Sequence, residues 1–172
     1  MGRWWQDTPR RPGAVNAWIT REFARRGLVP PDCTPEALAQ ALERERQITI
    51  AFRPYASDDT GVYGLLYRPE GQANTYVILF RPTHSIALRR LTLFHELAHL
   101  LFGHSLTDVA GLGALRGYMV TDPEDALAEA FAVGAMQYSF QDADTSMAAV
   151  EAEDESATSA FGQFLKRTQY RP

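Results

Sequence analysis

Apolar residues recur at helical spacing in the first part of the chain, and they predict two helices there. The first helix spans 16–26 and ends at Gly27, because glycine readily adopts the left-handed conformation that terminates a helix. The second helix spans 35–46. Thr34 can cap it with a side-chain oxygen, and Pro35 suits the first helical position.

The next part of the chain changes to short apolar runs that are typical of strands. Three such runs, bounded by turn residues, lie at 48–53, 61–68 and 75–81. The third run is the most hydrophobic, and Pro82 ends it just before a long helix. Because short turns connect consecutive strands, the pattern predicts a small three-stranded antiparallel sheet in an α+β fold, and not βαβ units.

Residues 85–102 form the most apolar helix that the pattern predicts. A helix that is hydrophobic on nearly all sides is buried, and yet this one contains His95, Glu96 and His99. Residues four apart lie on one face of a helix, so the two imidazoles can reach a single cation. Since buried polar groups need partners, a shared metal ion is favoured over separate hydrogen bonds in the core.

The spacing His95-Glu96-x-x-His99 is the H-E-x-x-H pattern, which is associated with zinc peptidases. Zinc accepts nitrogen ligands and a tetrahedral geometry with one open position. Glu96 lies about 100° further round the helix. There it can act as general base on a metal-bound water whose pKa the metal lowers to about 7. The motif therefore predicts a peptide-hydrolysing zinc site, provided that a third ligand comes from elsewhere.

The part of the chain after the motif begins with a glycine-containing loop over 105–121. A loop of that length is often a lid or a substrate loop. Tyr118 within it is a candidate donor to a tetrahedral oxyanion, although a simple packing role is also open. Another helix is predicted over 123–140 with Asp122 as its cap, and a last short helix over 156–167.

Four residues that follow the motif in the sequence are candidates for the third ligand: His104, Glu124, Asp125 and Glu129. Zinc proteases with a third histidine follow the spacing H-E-x-x-H-x-x-G-x-x-H, and His104 falls at another offset. A carboxylate from the later helix is therefore favoured. Asp125 and Glu129 are four apart and face the same way, but Asp125 could instead serve only to cap its helix.

Two blocks of the sequence resemble the ImmA/IrrE-like metallopeptidase family. They are Leu93-Phe94-His95-Glu96-Leu97-Ala98-His99-Leu100-Leu101 and Asp125-x-x-Ala128-Glu129-x-Phe131-Ala132. The second block is similar to the family's E-x-x-A-[ND]-x-F-A. The order of strands, helix, loop and helix between about 48 and 140 also matches, so the resemblance covers a little over half of the chain.

The resemblance implies a zincin-like minidomain, in which the small sheet packs with an active-site helix and additional helices. It implies zinc as the cofactor, His95 and His99 as ligands, and Glu96 as the base. The third ligand would be Asp125, where the family has glutamate, and an aspartate is one methylene shorter. Glu129 also departs from the family, which has asparagine or aspartate at that position.

The composition narrows the class of protein. A chain of 172 residues suits a single domain, with residues 1–13 as an N-terminal arm and residues 142–156 as an acidic segment. A net charge of −4 gives no general attraction to nucleic acid, and no apolar run approaches the roughly 20 residues of a membrane span. The single cysteine, Cys33, excludes an internal disulfide framework. We therefore expect a cytoplasmic protein.

These features favour a zinc endopeptidase that acts on one or a few proteins, with the third strand binding an extended peptide by strand addition. The resemblance implies that the substrate is a helix-turn-helix repressor. This chain contains no recognisable motif of that kind, so the repressor would be a separate partner. Two alternatives stay open. One is a catalytically weak or inactive regulatory module that keeps the fold, and the other is a toxin-like protease with another protein target.

Overall fold

The computed structural model describes residue 9 and residues 11–55, 63–104 and 123–140. The predicted loop over 105–121 with Tyr118, the acidic segment, the last predicted helix and most of the N-terminal arm lie outside the described residues. After a short 3-10 helix at Pro12–Ala14, the described elements are α1 (Val15–Arg25), α2 (Pro35–Arg46), β1 (Thr49–Pro54), β2 (Gly64–Tyr67), β3 (Thr75–Phe80), α3 (Ile86–Phe102) and α4 (Pro123–Ser139). The α+β composition that the sequence predicts is confirmed.

Local capping explains the starts of α2 and α3 and the end of α3, and the predicted bounds of the four described helices are confirmed to within one residue. The Thr34 hydroxyl accepts a hydrogen bond from the Ala37 amide at 3.1 Å at the start of α2. The Ser85 hydroxyl accepts one from the Leu88 amide at 3.2 Å and so begins α3. Gly103 ends α3 with a φ of 69°, a conformation that costs glycine little.

The three strands form a mixed sheet in the order β1-β3-β2. β2 and β3 are antiparallel neighbours, whereas β1 runs parallel to β3 with Thr49 opposite Thr75 and Pro54 opposite Phe80. The prediction of an all-antiparallel sheet was therefore wrong. The turn before β3 joins a true hairpin, but β1 pairs with β3 and not with β2, the next strand in the chain. The apolar pattern predicts that a strand exists, and it carries no information about which neighbour the strand selects.

The central position of β3 also corrects the expectation that this strand binds a peptide. Both of its edges already pair with other strands. The outer edge of β1 is partly covered, because the Ile50 amide donates a hydrogen bond to the Glu43 carboxylate on α2 at 2.7 Å. Within the described part of the chain, no strand pairs with the outer edge of β2.

An aromatic cluster between the helices holds α4 against α3 and α1. Phe131 of α4 is fully buried at its centre. Its ring centroid lies 5.6 Å from that of Phe102, 6.0 Å from Phe23, 6.1 Å from Trp18 and 6.4 Å from Phe94. Edge-to-face contacts of this kind add to the energy of burying the rings. The cluster fixes α4 relative to α3, and thereby places the first turn of α4 near the motif histidines.

A half-buried arginine ties the end of α3 to α2. The Arg46 guanidinium donates to the carbonyl oxygens of Leu100 at 2.6 Å and Leu101 at 3.0 Å. These are carbonyls of the last helical turn, which find no partner within the helix. Burial lowers the pKa of Arg46 to about 10, so the side chain stays charged at neutral pH. None of the helices in the described ranges is long and apolar enough to cross a membrane.

Candidate metal centre

The two motif histidines and one aspartate converge where α3 meets the start of α4. His95 and His99 lie one turn apart on α3, and their Nε2 atoms are 3.1 Å apart. Asp125 belongs to the first turn of α4. Its Oδ1 atom is 3.4 Å from Nε2 of His95 and 3.3 Å from Nε2 of His99. Each residue thus presents one ligand atom to the same small volume, and the three form a group that could hold a metal ion.

The geometry of the three atoms fits a tetrahedral ion. Ligand atoms at about 2.0–2.1 Å from a tetrahedral centre lie about 3.3–3.4 Å from one another. The measured separations of 3.1, 3.3 and 3.4 Å are close to that value. In addition, Oδ1 of Asp125 is buried and makes no well-aligned hydrogen bond, although both imidazole Nε2 atoms lie within 3.4 Å of it. Buried polar atoms need partners, and a cation between this oxygen and the imidazoles would supply one.

The electrostatics of this group are those of a site that favours positive charge. Burial by itself lowers the pKa of His95, but the carboxylates of Asp125, Glu96 and Glu129 outweigh it, so that the pKa is raised. Burial raises the pKa of Asp125, but the interactions with His95 and His99 are stronger and hold it well below its ordinary value. Asp125 is therefore ionised at neutral pH, with two imidazoles oriented toward it.

Glu96 is buried beside the same group, with only 4% of its surface exposed, and its carboxylate lies close to Gly64 of the sheet. The Leu66 backbone amide of β2 donates a hydrogen bond to its carboxylate. Burial raises the pKa of Glu96, against the opposing influence of His95 and His99. Glu96 is not among the three converging residues. The role of Glu96 as a base stays a prediction, and its position outside the converging ligand atoms is compatible with that role.

Gly64, at the start of β2, is what allows the strand to lie so close to Glu96. A Cβ atom at this position would collide with Cγ2 of Thr92, and it would lie 3.0 Å from Oε1 of Glu96 and 3.2 Å from the Leu79 carbonyl oxygen. Glycine within a strand often marks such a close approach. The sequence interpretation missed both Gly64 and Leu66. The available signal was a glycine directly before an apolar run.

The other candidate ligands lie elsewhere around the group. Glu129 is close enough to raise the pKa of His95, and its own pKa is raised by burial and by Asp125. His104 meets His99 at the other side of the imidazole ring, with the two Nδ1 atoms 3.1 Å apart. Among the described residues, Glu124, Glu129 and His104 do not join the converging ligand atoms. Tyr118, the candidate oxyanion donor, is outside the described ranges.

Comparison with known proteins gives no relative from which a role could be transferred: no family model, curated protein or solved structure matches the chain.

Proposed function

We propose that this protein is a zinc metallopeptidase with a zincin-like active-site arrangement, of the type seen in the ImmA/IrrE-like family. One observation carries the proposal. The Nε2 atoms of His95 and His99 and the Oδ1 atom of Asp125 converge at 3.1–3.4 Å from one another, beside the buried carboxylate of Glu96. The motif spacing alone is found in unrelated proteins. A carboxylate brought to the same point from a separate helix is a much more specific feature.

The donor set is what favours zinc. Two imidazole nitrogens and one carboxylate oxygen are the three protein ligands of many catalytic zinc sites, in which the fourth position stays open. His95, His99 and Asp125 would hold the ion. When bound, zinc would acidify a water molecule and polarise the carbonyl group of the scissile peptide bond.

Glu96 is the residue that would move the proton. Its carboxylate would accept a proton from the attacking water and deliver it to the nitrogen of the departing amine. The hydrogen bond from the Leu66 amide fixes the carboxylate, and the surrounding core keeps bulk water away from it. Gly64 contributes by leaving room for the carboxylate between α3 and β2.

The outer edge of β2 is the place where we propose that an extended substrate binds. A peptide can add to an exposed strand edge through main-chain hydrogen bonds. Glu96 lies against this strand, within hydrogen-bonding reach of Leu66. A peptide along β2 would therefore pass directly beside the general base. This assignment replaces the third strand, which is enclosed on both sides, by the second.

The shorter side chain of Asp125 is compatible with an active site in this chain. The family's glutamate would have one more methylene with which to reach the metal. Here the packing of Phe131 into the aromatic cluster draws α4 against α3. Oδ1 of Asp125 consequently lies within 3.4 Å of both imidazoles. The departure from the family was the reason for considering an inactive regulatory module, and this geometry favours the enzyme.

The proposed substrate is a separate helix-turn-helix repressor in the cytoplasm, and this part of the proposal rests on the family resemblance alone. The test uses the full-length protein, stripped with a chelator and reloaded with zinc, together with the helix-turn-helix protein encoded nearest to its gene. We expect one zinc per chain and discrete, zinc-dependent cleavage products by mass spectrometry. The Glu96→Gln variant is the matched control, and it should yield none of these products.

The other outcomes separate the alternatives. A protein that binds zinc and the repressor without cleaving it would be a regulatory module. Cleavage of other proteins, with the repressor left intact, would indicate a toxin-like protease. Failure of the wild-type protein to retain zinc at micromolar concentration would refute the metal site itself.

A further inference from the structure

His104 contacts one motif histidine from the side that faces away from the other ligands. Nδ1 of His104 lies 3.1 Å from Nδ1 of His99, and the two rings meet nearly edge to face with centroids 5.0 Å apart. The other ring nitrogen of His99, Nε2, faces His95 and Asp125. His99 is thus held from two directions, and each of its nitrogens has a different partner.

The chain reversal at the end of α3 produces this contact. Gly103 adopts a φ of 69°, in the left-handed region, and the His104 amide donates to the His99 carbonyl at 2.9 Å. The reversal returns His104 toward the turn of α3 that carries His99. The Phe102 ring also contacts His104, with centroids 5.5 Å apart. The contact is therefore a product of the helix ending, and not of a flexible side chain.

We propose that His104 is a positioning residue that fixes the tautomer and the ring orientation of His99. This inference rests on the proposed metal site. A neutral imidazole that binds a metal through Nε2 must carry its proton on Nδ1. That proton needs an acceptor in a buried position, and Nδ1 of His104 is within hydrogen-bonding distance. His104 accepts it when its own proton is on Nε2.

The inference assigns His104 a role that differs from the third-ligand role considered from the sequence. A metal-bound histidine usually donates its second N–H to a carboxylate, a carbonyl or water, and loss of that partner typically weakens metal binding about 10- to 100-fold. Here the acceptor is another imidazole. His104 affects the metal only through His99, so its replacement should weaken zinc binding without abolishing it.

The first experiment measures the zinc dissociation constant by chelator competition for the wild-type protein and three variants. His104→Leu removes the acceptor and should weaken binding about 10- to 100-fold. His104→Gln retains a side-chain carbonyl acceptor and should recover most of that loss. His84→Leu is the matched control. His84 is a half-buried histidine just before the Ser85 cap of α3, where its ring contacts that of Tyr63. It lies outside the metal group, and its replacement should leave the constant unchanged.

The second experiment needs no substitution. In ¹⁵N-labelled, zinc-loaded wild-type protein, we expect a through-hydrogen-bond coupling between Nδ1 of His99 and Nδ1 of His104. Absence of this coupling, or equal zinc affinity in the wild type and His104→Leu, would overturn the inference. If His104→Leu lowers only the unfolding temperature, His104 is merely structural. If His104→Leu fails to fold, the coupling in the wild type decides.

These readouts stay separate from the proposed activity. A wild-type protein that binds no zinc removes the basis of both ideas. A protein that binds zinc but cleaves no peptide defeats the peptidase proposal, while the affinity series still tests His104.

Discussion

The motif helix α3 buries charged groups on two faces, and the two faces are built in different ways. Toward α4, three side chains converge: His95, His99 and Asp125. Toward β2, a single carboxylate, Glu96, meets backbone, namely the Leu66 amide and the space left by Gly64. One face is made of candidate ligand side chains from two helices. The other depends on the close approach of a strand that contributes backbone. We infer that the proposed metal binding and the proposed proton transfer are separable properties of this helix.

Replacing a motif histidine should have the largest effect on zinc binding. We expect His99→Ala to lose bound zinc, because two protein ligands rarely hold the ion against competing chelators. Glu96→Gln should keep the wild-type zinc content and lose hydrolysis by about 10²–10⁴-fold, the usual contribution of a general base. Elemental analysis of both proteins, together with a cleavage assay, provides the measurement. Equal zinc content in wild type and His99→Ala would contradict the assignment.

Substitutions of the carboxylates of α4 test only the side of α3 that faces α4. Asp125→Ala should weaken zinc binding far more than Glu129→Ala, because the Asp125 carboxylate is 3.3–3.4 Å from both imidazole Nε2 atoms. Asp125→Glu should retain zinc, since it keeps the carboxylate. Chelator competition gives the three dissociation constants. If Asp125 were only a helix cap, Asp125→Ala would cost about 1 kcal/mol of stability and leave zinc affinity unchanged.

Gly64 tests the strand-facing side. Gly64→Ala places a methyl group against Cγ2 of Thr92 and close to Glu96, so we expect hydrolysis to fall while zinc content stays the same. Overpacking of this kind costs about 1–3 kcal/mol of stability. The double variant Gly64→Ala/Thr92→Ser removes Cγ2 and should recover part of both losses. Thermal unfolding and the cleavage rate measure the two effects. No recovery in the double variant would mean that Thr92 is not the obstacle.

Replacing Arg46 tests how much the stability of the protein depends on the hydrogen bonds that hold the end of α3. Arg46→Met removes the two hydrogen bonds to the carbonyls of Leu100 and Leu101. Hydrogen bonds to charged groups contribute about 1.5–3 kcal/mol each, so urea unfolding of the zinc-free protein should show a loss of about 3 kcal/mol. Arg44 is the control, because it lies on α2 like Arg46 but is exposed. Arg44→Met should change stability by less than about 0.5 kcal/mol.

The sequence predicted those parts of the fold that local rules determine. The cap at Thr34 depends on neighbouring residues alone and was found at the predicted start of α2, and both ends of α3 lie within one residue of the predicted bounds. The motif histidines could be selected because a period of four places them on one face of a helix. Asp125 was favoured by the family resemblance, and the structure brings it to them.

The features that the sequence did not predict depend on contacts between residues that are distant in sequence. Nothing in the run over 49–54 indicates that it pairs in parallel with one edge of β3, while β2 pairs with the opposite edge. The hydrogen bond from Leu66 to Glu96 uses a backbone amide, which every residue except proline possesses. Arg46 occurs in a polar last turn that looks solvated from its neighbours, and its two acceptors lie more than fifty positions further along the chain.

The two carboxylates that touch the edges of the sheet have a consequence for solubility. An exposed strand edge is a template for pairing with another chain, including a second copy of the same protein. On β1, the Glu43 side chain occupies the Ile50 amide and blunts that edge. On β2, Glu96 engages the Leu66 amide, and under the proposed function the remaining groups of that edge would have to stay open to the substrate. Among the described strands, we therefore expect the β2 edge to be the site at which a concentrated sample self-associates in competition with the proposed substrate, whereas Glu43 makes the β1 edge a poorer template.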